Sequence, residues 1–192
     1  MTADTIKNVF DSSFDSYACI GETISATVDG FEIEARIEFD EDAGSPWENS
    51  DCHGPVSEWT SRGKRPGERI LATDGYGRNF RYYDFAEAIG IAKRDGWDAA
   101  PYGGKKGERA NRAAEADYQA LKAWCNDQWR YVGIVLSVSC KGVVLDRYAA
   151  SLWGNDMNYP GSDNSHLTEV ANELLSEALE VGKAKLSELC SA

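Results

Sequence analysis

The sequence predicts an α+β protein: an antiparallel sheet built from hairpins, with helices packed on one side. Three observations carry that expectation. Asp29-Gly30 separates two strand-like runs, 23–28 and 31–40, and is the pair a type I′ turn favours because both of its central residues need φ > 0. In the second run Phe31, Ile33, Ala35, Ile37 and Phe39 alternate with Glu32, Glu34, Arg36 and Glu38, the period of a strand with one face buried and one in water. Near the end of the chain Leu167, Val170, Ala171, Leu174, Leu175, Ala178 and Leu179 recur at helical spacing, which predicts a helix over 167–190.

The other elements follow in order. Residues 43–69 read as a long loop, broken by Gly44, Pro46, Gly54, Pro55, Gly63, Pro66 and Gly67. A loop of that length carrying Trp47, His53 and Trp59 is expected to be ordered, folded onto the next hairpin with Trp59 as its anchor and Arg65 or Arg69 paired with carboxylates. That hairpin, 69–73 and 79–83, turns through Asp74-Gly75-Tyr76-Gly77. Asp84 and Glu87 have capping-box spacing, and Gly96 can end the short helix they begin. A Gly-rich linker over 101–107 leads to a longer helix over 108–129, then a third hairpin, 131–140 and 143–153, crosses Lys141-Gly142. The 192 residues suit one domain spanning 1–192.

Charge is unevenly placed. Of the net −12, residues 1–60 supply 2 Lys/Arg against 14 Asp/Glu, while residues 61–112 hold 12 against 7. A field this negative repels nucleic acid and anionic membranes, so direct nucleic-acid binding is disfavoured and no membrane partner is expected. The longest apolar run, 132–138, is too short to span a bilayer, and the start of the chain lacks the apolar stretch of a signal peptide. Five cysteines without CxxC spacing fit reduced thiols in a cytoplasmic protein.

Candidate chemistry is sparse. Cys52-His53 has the composition of a nucleophile and base, but adjacent residues seldom place their side chains for that work. Asp51, His53 and His166 do not have metal-ligand spacing, and no metal or cofactor is expected. Gly103-Gly104-Lys105-Lys106-Gly107 before a helix lacks the phosphate-loop pattern. The basic and aromatic middle, which includes Arg65, Arg81, Tyr82 and Tyr83, is read as an internal complement to the acidic first third.

Six segments carry a resemblance: HGPVSEW (53–59), RPGERIL (65–71), RYYDFAEAIGIAKRDGW (81–97), LKAWCNDQWRYVGIVLSVS (121–139), ASLWG (150–154) and LTEVANELLSEAL (167–179). Together they resemble a family of small proteins encoded by tailed phages and prophages, over about residues 45–180. The resemblance brings no catalytic residues. It implies a phage accessory protein in the bacterial cytosol, and such proteins often act on host defence machinery.

The charge pattern then gives a first expectation. The chain is a non-catalytic acidic binder that inhibits a nucleic-acid-handling host protein, such as an anti-CRISPR or antirestriction inhibitor, by charge mimicry. Glu32, Glu34, Glu38, Asp40, Glu41 and Asp42 would form the contact surface, with His53, Trp59, Arg65 and Arg81 as secondary candidates. The alternative is a small nuclease or hydrolase that uses dispersed carboxylates and His53.

Overall fold

The computed structural model describes residues 9–49, 52–97 and 104–191. In chain order its elements are β1 (Thr23–Val28), β2 (Phe31–Phe39), α1 (Pro46–Asn49), β3 (Glu68–Thr73), β4 (Phe80–Asp84), α2 (Phe85–Asp95), α3 (Lys106–Cys125), β5 (Arg130–Cys140), β6 (Val143–Met157) and α4 (Ser165–Ser191). The class is α+β, and its antiparallel strands divide into two sheets, ordered β1-β2-β5-β6 and β3-β4. The chain forms two compact units, Met1–Asp42 with Trp129–Ala192, and Ala43–Gln128.

The first unit has two layers. Asp29-Gly30 and Lys141-Gly142 all have positive φ, as type I′ turns require, and they set the β1-β2 and β5-β6 registers. Pairing of Ile33 with Val138, Ala35 with Leu136 and Ile37 with Ile134 lines up one apolar face, and α4 covers it with Leu167, Ala171, Leu175 and Ala178. The helix packs tightly at Gly182, where an added Cβ would lie 2.7 Å from the buried Val138 side chain.

Polar side chains tie down the segment that leads into β1. Asn164 is fully buried with φ +60; its amide donates to the Asp15 and Ser16 carbonyls while its oxygen accepts from the Asn158 N–H. Asn158 exchanges two hydrogen bonds with the Ala18 backbone, and Thr168 Oγ1 accepts from the Phe14 N–H. Every one of these buried polar groups is thereby partnered, which removes the cost of burying it.

In the second unit, α2 begins where expected. Asp84 accepts from the Glu87 N–H at 3.0 Å, and Gly96 closes the helix in the left-handed region. Of the loop over 43–69, residues 50 and 51 lie outside the described residues, and residues 55–60 lie along β4. Ser57 N–H donates to the Tyr82 carbonyl, Tyr82 N–H donates to Ser57 Oγ, and Thr60 and Phe80 exchange both backbone hydrogen bonds. It also holds a short helix the sequence reading did not include. There Ser45 precedes Pro46 in the first helical position, and the Glu48 carboxylate accepts from the Ser45 N–H.

Two boundaries differ from expectation by four residues. α3 ends at Cys125, because Asp127 turns left-handed at φ 58, and β6 runs on to Met157 with irregular pairing along its length. Among the described residues no helix is long and apolar enough to cross a membrane. The five cysteines are free thiols.

Gly182 and Gly90 make opposite predictions. Gly182→Ala should lower the unfolding free energy by about 1–3 kcal/mol, since a methyl is forced into a packed core. Gly90→Ala on α2, where a Cβ meets nothing within 4 Å, should raise it by up to about 1 kcal/mol. Urea denaturation of the two variants checks both signs.

Candidate functional site

The face of the larger sheet opposite α4 is built by the same alternation that builds the core. Along β2 it presents Glu32 and Glu34, both exposed, then Arg36 and Glu38, which form an ion pair at 2.5 Å. Arg36 also donates to the Arg147 carbonyl and lies over the Tyr148 ring at 4.9 Å. Next to Glu38 in the β5 register is Gly133, and the Trp153 ring occupies the space a side chain there would need. Tyr148 is 62% exposed and Trp153 43%. The result is one face holding two exposed carboxylates, a neutralised Arg–Glu pair and two large aromatic rings.

The remaining acidic candidates separate from this face. Glu41 and Asp42 are exposed in the turn after β2. Asp40 is 8% exposed, and its carboxylate accepts from the Gly154 and Asp42 N–H groups, so it positions the chain instead of presenting charge. Glu169, Glu173, Glu177 and Glu180 form a second exposed row on the outer side of α4, opposite the sheet.

The whole net charge belongs to this unit. Met1–Asp42 and Trp129–Ala192 together hold 7 Lys/Arg against 19 Asp/Glu, a net of −12, whereas Ala43–Gln128 holds 13 against 13. The basic middle is balanced locally. Arg62 grips Glu68 through two hydrogen bonds of 2.7 and 2.6 Å, Arg69 pairs with Glu115 at 2.7 Å, and Arg94 pairs with Asp95. These arginines therefore pair inside their own unit and not with the acidic first third. The Arg62 hydrogen bonds hold the Glu68 carboxyl down at about 2, and the Arg65 backbone N–H adds to the effect.

His53 is held by a carboxylate far away in sequence. Its Nδ1 lies 2.5 Å from Asp117 Oδ1, and Asp117 Oδ2 accepts from the Gly54 N–H at 2.8 Å and the Tyr83 hydroxyl at 2.6 Å. Burial, and then the hydrogen bond to Asp117, push the Tyr83 phenol well above its ordinary value. Gly54 is obligatory, because any Cβ would collide with the Tyr83 hydroxyl and the Ala88 methyl. A histidine oriented by a carboxylate is half of a general-base arrangement. Here the carboxylate is also the anchor of the loop. Among the described residues, no three His, Cys, Asp or Glu side chains are grouped to hold a metal; Asp51 and Gly103 lie outside those residues. The N-terminus of α3, where a phosphate was considered, is occupied by Glu108, which accepts from the Lys105 N–H.

Trp59 does not anchor the loop: it is 48% exposed. It stands instead beside Arg81, whose guanidinium lies 5.3 Å from the Trp59 ring centre and 4.9 Å from that of Trp47. Trp47 meets Trp124 edge to face at 5.2 Å, and these residues with Cys125 line a cavity of about 380 Å3. Of the secondary candidates the fold thus unites Trp59 with Arg81, sends His53 to Asp117 and leaves the Arg65 side chain exposed.

No family model matches the chain, and no curated protein or solved structure is significantly similar to it. The reading of function rests on the residues themselves. Those that sequence reasoning missed are Tyr148, Trp153, Asp117 and Trp124. Tyr148 and Trp153 are five apart, so strict alternation assigns them to opposite faces, and only the pairing shifts between β5 and β6 bring both to one.

Asp117→Ala should cost more than about 2 kcal/mol, because it strands the Gly54 N–H and leaves the buried Tyr83 phenol only a long 3.4 Å contact with the Ala114 carbonyl. His53→Ala, which removes a partly exposed ring and leaves both of those bonds intact, should cost about 1 kcal/mol or less. Chemical denaturation of the two variants measures the difference.

Proposed function

We propose that this chain is a non-catalytic binder that docks the open face of its larger sheet on a basic surface of a nucleic-acid-handling protein and blocks it. The observation that carries the reading is the composition of that face. Exposed Glu32 and Glu34 share that face with Tyr148, which lies against Arg36, and Trp153, which packs over Gly133, on the unit that holds the full net charge of −12. The two kinds of group do different work. Carboxylates on a strongly negative body steer encounter with a basic partner and set salt sensitivity. Exposed aromatic rings supply the desolvated anchors on which affinity depends.

A surface evolved to grip phosphates is the natural complement of such a face. With the resemblance to phage accessory proteins, the corresponding class is an inhibitor of host defence, of the anti-CRISPR or antirestriction kind, working in the bacterial cytosol. The carboxylate row on α4 faces away from this surface. It contributes long-range field, while Glu32 and Glu34 make the contact. The enzymatic alternative has the His53–Asp117 pair on its side. That carboxylate is already committed to Tyr83 and Gly54, which favours a structural role for the pair.

The test compares two charge reversals of equal size on opposite layers. A partner is first captured from a bacterial lysate on the immobilised chain. Glu32→Lys with Glu34→Lys should then weaken its binding by at least about tenfold, mainly through faster dissociation, as truncating close charge pairs does. Glu173→Lys with Glu177→Lys should slow association and leave dissociation nearly unchanged. Equal effects of the two pairs, or a captured partner with no nucleic-acid-binding activity, would overturn the reading.

A further inference from the structure

We propose that the cavity of the second unit is a binding site for a free purine base of the guanine type, presented as a nucleoside or nucleotide. This site is independent of the sheet face described above. Three of its lining residues are aromatic: Trp47 and Trp124 meet edge to face at 5.2 Å, and Trp59 is nearly half exposed. A flat, largely apolar ring is the occupant such walls favour, because every base has a π-face that stacks on an indole without regard to sequence. The volume of about 380 Å3 lies at the small end of small-molecule sites, which suits one ring system and not a polymer.

Arg81 narrows the class. Its guanidinium lies 4.9 Å from the Trp47 ring centre and 5.3 Å from that of Trp59, and among the described residues it has ring contacts but no carboxylate partner. This separates it from Arg62, Arg69 and Arg94, each of which spends its donors on an acid. A guanidinium that no carboxylate of the described residues engages keeps N–H donors for a ligand, and those donors form a two-donor fork. The matching edge on a planar ring is a pair of adjacent acceptors. Guanine offers one in O6 and N7, whereas adenine places an amino donor beside N7 and opposes the fork. The Ser45 and Thr73 hydroxyls on the lining can meet remaining polar atoms of the ring or its sugar. Burial raises the Cys125 thiol above its ordinary value, so that wall is neutral and adds no competing charge.

Tryptophan emission reads occupancy directly, since three of the six tryptophans line the cavity. Guanosine, GMP, adenosine and a single-stranded G-rich oligonucleotide are titrated against the intact chain. Guanosine and GMP should quench saturably with similar affinities, and guanosine should bind at least about tenfold tighter than adenosine. Trp59→Ala, at an exposed position, should fold normally and weaken guanosine binding by about tenfold. Arg81→Gln, checked for folding by circular dichroism, should remove the preference over adenosine. The proposal is overturned by an absence of saturable quenching with guanosine at millimolar concentration, or by equal affinity for guanosine and adenosine. Unchanged binding in Trp59→Ala overturns it too, as does binding of the oligonucleotide alone, which would assign the cavity to a nucleic-acid strand.

Discussion

The two-residue period of β2 is the constraint on which the first unit depends. It sends Phe31, Ile33, Ala35 and Ile37 into the core against α4, and Glu32, Glu34, Arg36 and Glu38 to the opposite face. A slip of one residue against β5 would exchange the two sets, burying carboxylates and exposing the core. The Asp29-Gly30 turn and the interlocked Ile33–Val138, Ala35–Leu136 and Ile37–Ile134 pairs prevent that slip. Core and contact surface are two readings of one alternation, so the acidic face cannot drift without loss of the fold.

The second unit depends on a different kind of interaction, a buried carboxylate shared among distant segments. Asp117 on α3 gathers His53, the Gly54 N–H and the Tyr83 hydroxyl, and so pins the start of the loop to β4 and α3 at once. The loop then continues along β4 through Ser57 and Thr60 and delivers Trp59 beside Arg81. The HGP stretch is therefore a docking device. The histidine meets the carboxylate, the glycine leaves room for Tyr83, and the Pro55 carbonyl accepts from the Asp84 N–H at 2.9 Å.

Much of this was legible in the sequence, because local rules fix it. Turn chemistry at Asp29-Gly30 and Lys141-Gly142, alternation in β2, capping at Asp84 and the periodicity of α4 each depend on neighbours a few residues away. The partners of His53 and Arg69, Asp117 and Glu115, are 64 and 46 residues distant, and no local pattern announces such pairs. Asp40 was misjudged for a related reason. In sequence it continues a carboxylate run, and only the return of β6 past Gly154 turns it inward. Division of the strands between two sheets also followed from long-range pairing, since β2 skips the whole of 43–128 to pair with β5. The short helix at Pro46 was within reach, as Ser45, Pro46 and Glu48 are a helix-start signal by themselves.

The central claim is that an acidic, aromatic sheet face takes the place of nucleic acid on a basic protein. It is tested most directly by competition, following the anisotropy of labelled DNA or RNA on the captured partner while this chain is added. The account predicts full displacement, with a midpoint that rises in proportion to the nucleic acid present and a strong loss of binding as salt is raised. A stable ternary complex, with the nucleic acid held as tightly as before, would contradict it.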